Sequence, residues 1–378
     1  MIHIEKEQNC CGCTACVNIC SHKAIEMKPD ALGFMYPRVD TSLCVDCGLC
    51  ERICSFNDNY SKEHILLMPK AFAARHKSIK EIENSRSGAA FVALSDWILS
   101  QNGIIYGVGF RDHFRVVHKR AICKNERDEF RGSKYVQSDL GAIFKLVEND
   151  LKCKKTVLFS GTPCQVAGLL AFIPKKLRDN LYTIDIVCHG VPSPYIWRDY
   201  LYYLEKKVGK HFEKVNFRDK SKGWTSHKES YVAGNKIYYS SIYTDLFYKH
   251  IIFRPSCGIC YFANLKHPAD ITLADFWGWE HNCPDFAKDN KGVSLVFCNT
   301  SKGVEYLKNV QYDMNLIKVE IMRCLQPNLL RPTKLNPLSE KLFQDYKNFG
   351  IEFILKKYWV VGWRHILSKI LGRCGIKL

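Results

Sequence analysis

The sequence predicts a chain of α+β and α/β character: a small cysteine-dense module, then an α/β body, then a basic helical tail. Three observations carry this expectation. A four-cysteine run is written twice before residue 55, short apolar runs alternate with longer amphipathic ones from residue 70 to about 300, and beyond Leu338 aromatic and basic side chains are interleaved. With 378 residues the chain is too long for one compact core. The expected divisions are 1–60, 61–150, 151–330 and 331–378.

The two runs are CCGCTACVNIC and CVDCGLCERIC, which set Cys10, Cys13, Cys16 and Cys20, then Cys44, Cys47, Cys50 and Cys54, in the spacing Cys-x2-Cys-x2-Cys-x3-Cys. In that spacing three thiolates of one run bind a cubane and the fourth crosses to the other cluster. Two [4Fe–4S] clusters are therefore expected in a ferredoxin-like module. Cys10, Cys13, Cys16 and Cys54 would hold one, and Cys44, Cys47, Cys50 and Cys20 the other. Small residues such as Gly12, Ala15 and Gly48 let the backbone approach the inorganic sulfurs and aim N–H groups at them. Zinc sites use paired knuckles rather than four-cysteine runs, and disulfide frameworks accompany secretion. Ser21 and Ser55 stand where proline usually follows the fourth cysteine, and Cys11 has no role by spacing.

Composition narrows the setting. The start MIHIEKEQNCC lacks the basic and apolar regions of a secretory signal, and no apolar stretch of about 18 residues occurs, so a cytoplasmic location is expected. There the 19 cysteines read as ligands, catalytic thiols and small core residues. Residues 1–60 carry five Lys and Arg against eight Asp and Glu, a net −3, so with an overall charge of +17 the rest of the chain carries +20. An acidic module on a basic body suits a redox partner protein, a small-molecule electron donor or acceptor, or a phosphorylated cofactor. No nucleic-acid motif is present, and none is expected as a partner.

The ferredoxin-like module should end near Asn59, and YSKEHILLMPK reads as a linker. AFAAR is a strand, and SRSGAAFVALSDWILSQNG a helix capped by Ser85 or Ser87. GIIYGVGF and RVVHKRAI are strands, GAIFKLVENDL a helix, TVLFSG a strand, TPCQVAGLLAFI a helix, LYTIDIVCHG a strand and PYIWRDYLYYLEKK a helix. Strand followed by helix three times over predicts a largely parallel sheet. SYVAGNKIYYS reads as a hairpin, and DITLADFWG and GVSLVFCNT as strands. The tail, EKLFQDYKNFG and IEFILKKYWVVGWRHILSKILGRCGIKL, reads as a helix packed on the body, with peripheral membrane contact as the alternative.

Beyond the module, Cys164 falls in the first turn of a helix with Thr162 as N-cap and Pro163 next, where the helix dipole favours a thiolate. Cys188 ends the following strand in the same sense, and Cys257 and Cys260 form a close pair in RPSCGIC. These four thiolates suit a third [4Fe–4S] cluster or a zinc ion, with Cys283 or His281 able to replace one of them. For a flavin phosphate, Ser85, Arg86, Ser87 and Gly88 open a helix, and Arg131, Gly132, Ser133 and Lys134 form a second anion-binding stretch. Gly107 and Gly109 of GVGFRD read as turn residues. Asp275 and His189 are candidate catalytic groups, with a turn aspartate and a ligand-supporting histidine as the structural alternatives.

Taken in order, SRSGAAF, GSKYVQSD, LFSGTPCQVAGL, DIVCHGVPSP, FRDK with GW, RPSCGIC and DITLADFWG resemble the beta subunit of coenzyme F420-reducing hydrogenase and its dehydrogenase relatives. The resemblance covers residues 71 to about 300, and it is to members that carry a fused two-cluster ferredoxin. It implies an iron–sulfur flavoprotein oxidoreductase that passes electrons between [4Fe–4S] clusters and FAD. It also implies Ser87 and Gly88 at the flavin and Cys164, Cys188, Cys257 and Cys260 as ligands of the third cluster. Ala89 departs from the family's second glycine. An electron-transfer subunit with no substrate site of its own is the alternative.

Overall fold

The computed structural model describes residues 1–378 apart from 58, 59, 61, 63, 222, 288 and 359–378. The fold is mixed α/β, built on one large mixed sheet with a ferredoxin-like module at its N-terminal end. In the module, each cysteine loop leads into a short helix, Ala15–Ile19 and Leu49–Arg52. Between them β1 (Ile25–Pro29) pairs antiparallel with β2 (Met35–Val39).

The body continues with β3 (Lys70–His76), β4 (Ile104–Arg111), β5 (Arg115–Ala121), β6 (Val157–Ser160) and β7 (Leu181–Ile186). Then follow β8 (Lys214–Asn216), β9 (Glu229–Ala233), β10 (Lys236–Ser240), β11 (Ile271–Asp275), β12 (Ser294–Cys298) and β13 (Met314–Val319). Eight of these strands form the main sheet in the order β13-β3-β12-β11-β7-β6-β4-β5, and β8 to β10 form a separate three-stranded sheet. The centre, β4-β6-β7-β11, is parallel, and the helices Ile143–Lys152 and Pro163–Phe172 lie in its connections. Both flanks are antiparallel, so the expectation of a largely parallel sheet holds only for the middle. Strand composition reports burial, whereas direction is set by pairings such as β3 with β12 and β13 that span more than two hundred residues. Strands from 61–150 and from 151–330 share this sheet, so residue 150 divides a single layer.

Local expectations meet local corrections. The helix over SRSGAAF begins only at Ala90; Ala89 precedes it with φ 63°, and neither Ser85 nor Ser87 caps it. Gly107 and Gly109 sit inside β4 rather than in a turn; a Cβ on Gly107 would lie 2.5 Å from the Phe130 ring. The C-terminal helix, Ser339–Lys357, is bent at Gly350. It buries Leu342, Ile354 and Leu355, and the Tyr346 hydroxyl donates to Asp199 on the helix Pro194–Val208 at 2.6 Å. The tryptophans and most of the basic residues of the expected membrane-contacting segment lie outside the described residues. Among the described residues no helix is long and apolar enough to cross a membrane.

The module is seated on the body by directed contacts. Ser193 Oγ donates to the Leu32 carbonyl at 2.6 Å, the Tyr195 amide donates to the same oxygen at 3.1 Å, and the Tyr60 hydroxyl donates to the Lys266 carbonyl at 2.7 Å. At Gly168, in the helix Pro163–Phe172, a Cβ would stand 2.8 Å from Cys13 Sγ, so the missing side chain is what lets the first cysteine loop reach this helix.

Gly88 is equally constrained. A Cβ there would run into the Ala74 carbonyl oxygen and stand 2.7 Å from the Ser294 nitrogen, both backbone atoms of the main sheet. Gly88→Ala should destabilise the fold by at least about 1–3 kcal/mol, read as a lowered urea midpoint by far-ultraviolet circular dichroism.

Candidate functional site

The two cysteine runs repeat a backbone conformation as well as a spacing. Left-handed φ values occur at Gly12 (72°) and Thr14 (66°) in the first and at the equivalent Asp46 (49°) and Gly48 (71°) in the second. Each pair curls the chain around its thiols and turns amides inward. Gly12 N–H points at Cys10 Sγ at 3.4 Å, and Ile2 N–H at Cys50 Sγ at 3.2 Å.

This geometry sorts the module's cysteines into two sets. Cys20, Cys44, Cys47 and Cys50 line one hollow near the surface, together with Met1, Ile25, Val39, Val45 and Leu49. Cys47 is exposed there. Cys10, Cys13, Cys16 and Cys54 gather further in. Burial pushes the Cys16 thiol well up, and charge on Cys13, Cys10 and Cys54 pushes it further. The Cys54 thiol is raised to about 11, by burial first and then by Cys13, Cys10 and Cys50.

A third set forms in the body. Cys164, Cys188, Cys257 and Cys260 line one hollow, from the helix Pro163–Phe172, the loop after β7 and the turn Pro255–Ile259. Thr162 precedes that helix, and the Gln165 side chain accepts its N–H at 3.0 Å. Cys164 Sγ is 3.2 Å from Thr162 Oγ1, and Val191 N–H points at Cys257 Sγ at 3.4 Å. Burial pushes the Cys188 and Cys260 thiols up and raises Cys257 to about 12. The Cys164 thiol is drawn down to about 7, chiefly by its hydrogen bond with Cys11. Four buried thiols facing one hollow repel as thiolates and are satisfied by a bound metal centre. Cys11, without a role by spacing, is buried where its thiol bonds both Cys13 and Cys164. Cys283 belongs elsewhere, donating to the Trp279 carbonyl in a core of its own with Trp224, and His281 lies beside it in the helix Trp279–Asn282.

Past Cys188 lies a basic, aromatic cleft that the motifs only partly disclosed. Arg218 donates to Asp275 at 2.7 Å, and Arg86 Nη2 donates to the Trp224 carbonyl at 2.5 Å while its Nε stands 3.7 Å from Asp275. Their side chains are only 6% and 9% exposed, yet Nε and Nη2 of Arg218 and Nε and Nη1 of Arg86 have no hydrogen-bond partner among the described residues. Ser85 Oγ, Trp224 Nε1 and His227 Nδ1 share that condition. Trp224 stacks on Trp277 at 4.5 Å, and His227 lies nearly parallel to Trp277. Burial lowers the Arg86 pKa to about 10 and that of neighbouring Lys220 to about 8. Unpartnered buried cation donors beside flat apolar rings suit a planar, anionic ligand. His189, next to Cys188, lies within electrostatic reach of Arg218 and Asp275, and burial lowers its pKa.

The other sequence-derived flavin candidates face other partners. Ser87 Oγ donates to the Val293 carbonyl at 2.6 Å, and Gly88 is closed off by the sheet. The Lys134 ammonium donates to the carbonyls of Glu129, Arg131 and Gly132. Gly132 and Ser133 are exposed, and Arg131 pairs with Glu81 and Asp128. GSKY is thus a loop bonded to itself. Of SRSGAAF, Arg86 and Ser85 are the residues turned to the cleft. Arg218, Lys220 and Trp224 were visible only as the FRDK and GW strings.

Comparison with known proteins follows the same division. Residues 154–322 match the family model for the C terminus of the coenzyme F420 hydrogenase/dehydrogenase beta subunit, and residues 9–57 match the 4Fe–4S dicluster domain. The chain belongs to the F420 hydrogenase/dehydrogenase beta-subunit family. This beta-subunit homologue carries its dicluster domain at the N-terminal end of the same chain. Among solved structures it is similar to a chain of the F420-reducing [NiFe] hydrogenase complex from Methanosarcina barkeri, studied by xenon derivatization. That match has 15% identity and a TM-score of 0.47 over 78% of this chain and 92% of the other. No curated protein matches.

The half-buried His227 gives the cleft a pH signature. Burial, then Arg218 and Arg86, depress its pKa from an ordinary 6.5 to about 4. The unfolded chain therefore takes a proton that the folded one refuses between these values, and stability falls as pH drops from 6.5 towards 4. His227→Gln should flatten the stability curve in that window, measured by urea denaturation at stepped pH.

Proposed function

We propose that this chain is an iron–sulfur flavoprotein oxidoreductase that relays electrons between a partner at the exposed end of the dicluster module and FAD bound beside Arg86 and Arg218. The observation that carries the reading is the serial order of the sites. A surface hollow with Cys20, Cys44, Cys47 and Cys50 is followed by Cys10, Cys13, Cys16 and Cys54. The set Cys164, Cys188, Cys257 and Cys260 comes next, and after it the cleft. Each set of four thiols is read as the ligands of one [4Fe–4S] cluster. Cys11, bonded to both Cys13 and Cys164, supports close approach between the second and third.

The cleft's orphaned donors fit an anionic cofactor. Arg86 and Arg218 would hold its negative charge, Trp277 would flank its ring, and Asp275 would keep Arg218 oriented. Bound there, FAD supplies the two-electron chemistry that one-electron clusters lack. His189, between the third set and the cleft, is the candidate proton carrier, and Asp275 is a positioning residue rather than an acid.

A second reading, an electron-transfer subunit that hands its electrons to a partner enzyme, is favoured by one observation. Leu43, Val45 and Leu49 are exposed around the surface hollow, an apolar patch on an acidic module that suits a protein redox partner. Turnover of an artificial acceptor by the isolated, fully loaded chain separates the two.

Anaerobic purification should give about twelve irons and one FAD per chain, with Cys260→Ser losing about four irons and leaving the module's signals intact. Arg218→Gln should weaken FAD retention about ten- to a hundredfold without changing the iron count, in keeping with loss of a charge-assisted hydrogen bond. Eight irons and no flavin in the wild-type chain would reduce it to a ferredoxin on an unexplained body.

A further inference from the structure

Arg254 is 0% exposed, yet no carboxylate pairs with it among the described residues. Its hydrogen bonds all go to neutral acceptors: Nε to the Cys10 carbonyl at 2.8 Å, Nη1 to Gln137 Oε1 at 2.9 Å and Nη2 to the Met35 carbonyl at 3.0 Å. The rings of Tyr36 and Phe34 flank it at 4.1 and 5.4 Å. Carbonyl dipoles and ring faces offset only part of the desolvation of a guanidinium, so a fully buried one calls for a nearby anion.

The surroundings say which anion. The first cysteine loop closes over the guanidinium, since a Cβ on Gly12 would stand 3.1 Å from Nη1. On the other side, the Arg254 amide donates to the Val191 carbonyl at 2.9 Å, and its own carbonyl accepts the Cys257 amide at 3.0 Å. The residue also lines the hollow that holds Cys164, Cys188, Cys257 and Cys260. One fixed positive charge therefore stands between two thiol sets, bonded to the backbone of both.

We infer that Arg254 is the shared counter-charge of the two inner clusters, a positioning residue that raises their reduction potentials and so favours electron residence between the surface cluster and the cleft. This rests on reading those thiol sets as cluster ligands. A cubane with four thiolates is an anion, and taking up one electron adds one negative charge with no bond made or broken. A permanent cation beside it stabilises the reduced form more than the oxidised one. The surface set, Cys20, Cys44, Cys47 and Cys50, makes no hydrogen bond with Arg254 and serves as an internal reference.

The test is a potentiometric titration of the anaerobically purified full chain, followed by electron paramagnetic resonance, for wild type, Arg254→Lys and Arg254→Gln. In Arg254→Gln the equilibrium constant for reducing the inner clusters should fall about ten- to a hundredfold, about 60–120 mV at 59 mV per decade for one electron, with the surface cluster unmoved. Arg254→Lys, which keeps the charge, should recover most of that shift. Unchanged inner midpoints in a fully loaded Arg254→Gln overturn the inference, as does an equal fall in both variants, which would mean packing rather than charge. If Arg254→Gln fails to load the inner clusters, loading of Arg254→Lys at near wild-type midpoints upholds a charge role, and the same loss in both variants overturns it. A wild-type iron count near eight removes the third cluster, a failure of the proposed function, while the midpoint of the Cys10 cluster still decides the role of Arg254.

Discussion

The buried guanidinium of Arg254 is the contact on which the arrangement of module and body depends. It holds the carbonyls of Cys10 and Met35 from the module, the amide of Gln137 from the body and, through its own backbone, the loop that carries Cys257. Gln137 completes the tie by donating to the Cys11 carbonyl at 3.1 Å. Removing one partner from such a network leaves a desolvated charge with unmet donors, which makes the seating specific rather than merely apolar. The dicluster module is therefore fixed against the body instead of swinging on the linker that follows it.

That seating has a consequence for electron transfer. Gly168 admits Cys13 to the helix that begins at Cys164, and Cys11 bonds across the boundary. Phe56 and Tyr60 pack on Phe262, immediately beyond Cys260. In the proposed function the inner clusters thus approach through protein with no solvent gap, and the cation between them acts on both. The cleft beyond is built on a different principle. Arg86 and Arg218 compete for one carboxylate, Asp275, and most of their donors are left without a partner, an arrangement that costs stability unless an anion completes it.

How much of this was legible follows from the range of the interactions. Cysteine spacing is a local signal, because two-residue gaps wrap one loop around one centre, and the repeated left-handed pairs at Gly12 and Thr14, Asp46 and Gly48 express it in the backbone. The Thr162 and Pro163 start of the cysteine-bearing helix was legible for the same reason. The sheet was only half legible. Its parallel centre follows strand-helix alternation, whereas β13 and the antiparallel flanks depend on partners distant in sequence. Around the flavin candidates, SRSGAAF pointed to the right stretch but to the wrong side chains. Ser87 and Gly88 serve the sheet, Arg86 faces the cleft, and the ammonium of Lys134 is spent on its own loop.

The sequence by itself determined the cluster chemistry of the module and the family, because ligand type and spacing within one run, and strings such as SGTPCQ and RPSCGIC, survive without any tertiary information. Only the tertiary structure decided which thiols share a hollow, that Cys11 spans two of the sets, and that Arg254 is buried without a carboxylate. The reason is physical. A ligand run is closed by a few bonds along the chain, but burial, charge and unmet hydrogen bonds are set by what the rest of the chain brings to the same place. An arginine three residues before a cysteine looks like any surface cation until the fold encloses it.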